Sequence, residues 1–130
     1  MPKFYLFLAL LLLALPLSAT IIPANPTNYT AALATLAAGD TLMLAAGKYT
    51  NNLTLKSKVG TAARPIVIMG QGDATVFEGQ SCCNTISITQ CAFVVISHLR
   101  LDGMNQEVDA VKAEGTAGNW AHDITLEYLT

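Results

Sequence analysis

Two stretches of this chain, thirty residues apart, carry one apolar pattern. In "FVVISHLR" and "DITLEYLT", Val94 answers to Ile124, Ile96 to Leu126 and Leu99 to Leu129. Ser97-His98 answers to Glu127-Tyr128, a polar-leaning pair between the apolar positions. A period of this length marks solenoids, propellers or arrays, in which one unit cannot bury its apolar side alone. A strand, a small corner and another strand, repeated each turn, is what a parallel β-helix needs. Aliphatic side chains would point inward, each above its counterpart in the coil below, and outward positions would stay polar. Each coil would pair its backbone with its neighbours.

The rest of the chain after Asp40 agrees. Short β-rich runs follow one another, among them "TLMLA" (41–45), "NLTLK" (52–56), "PIVIMG" (65–70), "TVFEG" (75–79), "TISIT" (85–89) and "AVKAEG" (110–115). Gly, Asn, Asp and Ser separate them. Spacing of about ten residues also suits an antiparallel sandwich. Hairpin signals are poor, however: there is no Asn-Gly, and the one Asp-Gly, Asp102-Gly103, precedes a long polar stretch. The expected fold class is therefore all-β, a parallel β-helix.

One helix precedes the coils. In "PTNYTAALATLAAGD", Thr27 or Asn28 can cap a helix start, and Tyr29, Ala32, Leu33 and Leu36 form a stripe on one face. Gly39 can take the left-handed conformation that closes a helix. The pattern predicts a capping helix over about 27–38, with coils from about 41 onward. An open solenoid end presents an unpaired edge. A short amphipathic helix across it, with Tyr29, Leu33 and Leu36 facing the core, would close it.

The first 19 residues read differently. Lys3, the apolar run "FYLFLALLLLAL", Pro16 and the small residues of "LSA" have the three-part layout of a secretory signal peptide. The competing reading is a membrane anchor, but the run is shorter than the ~20 residues that span a bilayer. The mature part, 20–130, is thus expected outside the cytoplasm, secreted or periplasmic, with no membrane span. Of the seven Lys and Arg, Lys3 leaves with the signal, so six stand against nine Asp and Glu. Nothing here resembles the basic footprint of a nucleic-acid binder. Asn28 and Asn52 match the N-glycosylation acceptor pattern, which matters only in a eukaryotic secretory pathway.

Cys82, Cys83 and Cys91 lie in the mature part, and export would permit oxidation. A bridge from Cys91 to Cys82 or Cys83 is one reading; a bond within the adjacent pair would be strained. The other reading is small apolar residues in a stack. No zinc-finger spacing is present.

The segment "ALATLAAGDTLMLAAGKYT" resembles the opening of secreted right-handed parallel β-helix proteins of the pectate-lyase-like group. "GTAARPIVIMGQGDATVFEGQ" and "FVVISHLRLDG" are similar to the following stretches of its chondroitinase B and alginate lyase branch. The resemblance covers about residues 27–130 and implies a polysaccharide lyase-like protein. In that branch a calcium ion or an Arg neutralises the uronate carboxylate, and a base removes the neighbouring proton. The base and any Ca2+ ligands generally come from later coils, and no stretch here matches them. The resemblance thus assigns no catalytic residue to this chain. The last strand is followed by no turn, tail or helix, so the expectation is a fragment. Further coils would carry the active site, and an apolar edge would lie uncovered at Thr130.

His98, Arg100 and Asp102 fall at i, i+2 and i+4, so one strand would show them on one face. The echo would set Tyr128 beside His98 on the next coil. A His, an Arg, a carboxylate and an aromatic on one outer sheet suit a sugar acid; a solvated outer face would carry the same residues. Lys112 and Glu114 share a face as a base and a ligand, or as a surface charge pair. Asp109 and Asp123 are carboxylates without the regular spacing of a calcium loop. His122 reads as a turn residue. Trp120 would stack on a sugar or pack its loop. The function expected is binding of extracellular, acidic polysaccharide, with β-elimination if the full-length protein is an enzyme. The alternative is a non-catalytic module: an adhesin, surface or structural protein.

Overall fold

The computed structural model describes residues 18–130, so the expected signal segment lies almost wholly outside the described residues. In chain order the elements are β1 (Ile21–Ala24), α1 (Tyr29–Thr35), β2 (Thr41–Leu44), β3 (Gly47–Tyr49), β4 (Leu53–Lys56), β5 (Ile66–Glu78), β6 (Ile86–Thr89), β7 (Ala92–Asp102), β8 (Val111–Glu114) and β9 (His122–Leu129). All the strand pairings are parallel, and they wind the chain into a β-solenoid of about three turns. One sheet runs β1-β2-β5-β7-β9, with β3 paired to β5; the other runs β4-β6-β8. Strands β1 and β3 lie outside the runs expected from the sequence, and β1 starts the stack ahead of the helix.

The echo is the register of β7 on β9. Val94 pairs with Ile124, Ile96 with Leu126 and Leu99 with Leu129. The same inward column runs back through Ile66 and Ile68 to Leu42. Ile66, Ile68, Val94, Ile96 and Leu99 are fully buried. Each such side chain contributes about 1.5–3 kcal/mol on leaving water, and only a neighbouring coil provides that burial.

Outward positions are less polar than expected. Met43 pairs with Met69, and Val67 with Val95, all on the outer side of the alternation and half-buried. Coils above and below cover their flanks, so an aliphatic ladder is tolerated there.

Corners stack as strands do. Phe93 (φ 52°) lies over Asp123 (φ 52°), and His98 (φ 55°) over Tyr128 (φ 51°). Each is a left-handed residue that lets the strand change direction without a long loop. Gly70 makes room for one such bend: a Cβ there would lie 2.5 Å from the His98 carbonyl oxygen.

The helix is shorter than its pattern. Leu36 is already extended, at φ −60° and ψ 132°, yet buried with Tyr29 and Leu33. Asn28 caps nothing with its side chain; its Oδ1 accepts from the Asn25 N–H at 2.8 Å. Lys58 Nζ, from a later coil, donates to the Ala34 carbonyl at 2.8 Å, satisfying the helix end. Tyr29 sets its ring edge-on to Tyr49 (5.2 Å) and to Phe77 (5.7 Å), and the latter two stack at 4.6 Å. Its hydroxyl donates to the Asn51 and Asn52 carbonyls. Burial raises the pKa of Tyr29 above the ordinary tyrosine value. Burial raises Tyr49 as well, with Tyr29 adding to it. Asp40 is buried, and its carboxylate accepts the Ala37 N–H at 2.9 Å and the Thr20 N–H at 3.2 Å.

The bridge from Cys91 to Cys82 or Cys83, one of the two readings, does not form. Cys82 bonds to Cys83, and Cys91 is free. Cys91 lies inside the stack, where its thiol donates to the Thr89 carbonyl at 3.3 Å and accepts the Lys58 N–H at 3.4 Å. Burial pushes that thiol up in pKa. Cys82 and Cys83 sit on the exposed loop before β6.

Candidate functional site

The corner at His98 divides the expected cluster in two. Ile96 and Ser97 are buried in succession, so the in–out alternation breaks there. His98 therefore stands at the bend, and Arg100 and Asp102 lie on the next straight segment. The structure joins them as pairs rather than as one row.

The first pair is His98 with Tyr128. Their rings stack at 4.6 Å and 30°. Tyr128 is 70% exposed, so one face of its ring is open to solvent. His98 Nδ1 is buried and has no hydrogen-bond partner, as has the hydroxyl of its neighbour Ser97.

The second pair is Arg100 with Asp102, at 3.7 Å. This distance is long for a charge-assisted bond, and Arg100 is half exposed. Asp102 also accepts the Met104 N–H at 3.1 Å, which tethers it to the turn that follows. Beside it, Glu78 pairs in register with Asp102, and Lys48 reaches Glu78 at 3.1 Å. Two carboxylates, Glu78 and Asp102, thus lie side by side on this outer segment, each with its own cation. Sequence reasoning missed Lys48 and Glu78, because their neighbours are set by coil register rather than by local spacing. Arg100 retains free N–H groups, since its only ion-pair partner among the described residues is Asp102. A planar guanidinium can take a carboxylate through two parallel bonds.

The remaining candidates are dispersed. Lys112 and Glu114 pair with each other at 3.2 Å on β8, in the other sheet. Asp109 offers its N–H to Asn84 Oδ1 at 3.3 Å. His122 Nδ1 and Asp123 Oδ2 are 2.7 Å apart at the start of β9. Trp120 is exposed beyond the turn joining Thr116 to Asn119. Among the described residues no group of three or more His, Cys, Asp or Glu is arranged to hold a metal ion. No described helix is long and apolar enough to cross a membrane.

Comparison with known proteins bears on the fold. No family model matches the chain, and no curated protein matches it. Among solved structures it is similar to a mannuronic-acid-specific polysaccharide lyase of family 6 from human gut microbiota. That match has a TM-score of 0.63 and 18% identity, covering 82% of this chain. It is also similar to AlyGC, an alginate lyase of the same family, at a TM-score of 0.67 and 18% identity over 84% of this chain. The chain spans 25% of the first protein's length and 15% of the second's. Such likeness shows a shared parallel β-solenoid fold.

Proposed function

We propose that this chain belongs to a secreted protein that binds an acidic extracellular polysaccharide, and that the full-length protein cleaves it by β-elimination. The observation that carries the reading is the outer corner where Tyr128 stacks on His98 and a half-exposed Arg100 follows. An open aromatic face suits the C–H face of a sugar ring, and the guanidinium suits its carboxylate. The solenoid's likeness to two lyases of acidic polysaccharide supports the substrate class. In the reaction a base removes the proton next to the carboxylate. The glycosidic C–O bond then breaks, the leaving sugar takes a proton, and a double bond forms beside the carboxylate. The base is assigned to later coils, and calcium, if used, would be held there too.

A second reading is a non-catalytic module. Its support is that the outer charges of this portion neutralise one another, as in Lys48–Glu78 and Lys112–Glu114. The full-length protein should release products absorbing in the near ultraviolet from alginate or a related polyuronate. Tight binding without such products across pectin, alginate and chondroitin would leave only the second reading.

A further inference from the structure

The opposite corner of β7 and β9 carries its own groove. It encloses about 460 Å³ and is lined by Thr61, Pro65, Phe93, Val95, Asp123 and Thr125, among others. Phe93 is half-buried and stands in the left-handed region at φ 52°, where a bulky side chain is costly by roughly 1–2 kcal/mol. Glycine would hold that corner without strain; phenylalanine adds a ring over the groove. The ring meets His122 edge-on at 5.9 Å, and His122 in turn meets Asp123 at 2.7 Å. Pro65, Phe93 and Val95 bring apolar side chains to a groove whose exposed lining is mostly polar, where Thr61, Thr125 and Asp123 give hydroxyls and one carboxylate.

We infer that this groove is a second saccharide subsite, which takes the uncharged face of a pyranose ring. One aromatic ring among hydroxyls, a carboxylate and other polar atoms matches a sugar ring with one C–H face and a rim of hydroxyls. No Lys or Arg lines it, and Asp123 would repel a sugar carboxylate, so the acidic group of the ring points out of the groove. Phe93 and His98 are five residues apart on β7, about 16 Å at ~3.3 Å per residue. One oligosaccharide laid along β7 reaches both corners. This subsite rests on the polysaccharide reading above.

The test is calorimetric titration of the chain and its Phe93→Gly variant with a mannuronate hexasaccharide. Glycine accepts the corner's φ, so the variant should keep a strand-dominated spectrum. Its affinity should fall about tenfold, or ~1.4 kcal/mol, and by the same ratio at low and high salt, because stacking is not screened. Phe93→Tyr should retain affinity. Asp123→Asn, which preserves shape, should lose several-fold, and it serves if the glycine variant does not fold. Unchanged affinity in both variants, or a ratio that collapses at high salt, overturns the subsite while leaving the polysaccharide reading intact. Absence of binding by the unaltered chain overturns both.

Discussion

His98 and Tyr128 stack at 4.6 Å across two coils, each in a left-handed backbone conformation at the same corner of the solenoid. The backbone aligns the rings, since Ser97 pairs with Glu127 on one side and Leu99 with Leu129 on the other. Because Tyr128 is largely exposed, Tyr128→Ala should lower stability by no more than about 1 kcal/mol. It should weaken polyuronate binding about tenfold. Thermal melts and titration, run together, separate the two effects.

Gly70 lies against the His98 corner, and a Cβ there would meet the His98 carbonyl and the Leu99 side chain, each at 2.5 Å. Gly70→Ala should therefore cost about 1–3 kcal/mol, the usual range for overpacking. Chemical denaturation should show a lowered midpoint; an unchanged midpoint would mean the coils are not packed as described.

Tyr29 and Tyr49 have pKa values raised by burial, so the folded state keeps protons that the unfolded chain gives up. The stability this contributes is complete below about pH 10, the ordinary tyrosine value, and is lost as the pH rises through the folded pKa values. Tyr29→Phe should flatten that alkaline loss. At neutral pH it should cost about 1 kcal/mol, because the Asn51 and Asn52 carbonyls lose a donor.

Thiol chemistry distinguishes the observed pairing from the expected one. Cys91 is buried with a raised pKa, so the folded chain should resist maleimide at neutral pH and take up one equivalent on unfolding. Peptide mapping without reduction should find Cys82 and Cys83 joined and Cys91 free. A crosslinked peptide containing Cys91 would overturn that assignment.

Strand β9 pairs only with β7 among the described residues, and its Leu126 is 43% exposed. An edge strand with apolar side chains invites further pairing. Residues 20–130 alone should self-associate, and Leu126→Lys should reduce this in light scattering or sedimentation. Clean monomeric behaviour would count against an open edge.

The sequence displayed those parts of the fold that depend on period. Val94, Ile96 and Leu99 could be matched to their partners because one coil copies the next. Tyr29, Leu33 and Leu36 were visible as a buried stripe, although Leu36 reaches the core from extended chain rather than from helix. What stayed hidden depends on contacts distant in sequence. Nothing local marks Phe93 or His98 as left-handed, since neither is glycine. Lys58 closes a helix end twenty-two or more residues before it. The row of His98, Arg100 and Asp102 assumed unbroken alternation, and the corner removed it. The adjacent cysteines read as a strained pair, yet they are the bonded ones, and Cys91 is buried and free.

The outer corner of β7 and β9, in the function proposed above, binds acidic glycan. Amide NMR of residues 20–130 carrying Leu126→Lys to limit self-association, titrated with a mannuronate hexasaccharide, tests it most directly. Shifts should concentrate along β7 and β9, strongest at His98–Asp102 and Glu127–Thr130. They should weaken in Arg100→Ala and as salt is raised. Shifts confined to the β4-β6-β8 sheet, or no shifts at millimolar sugar, would contradict it.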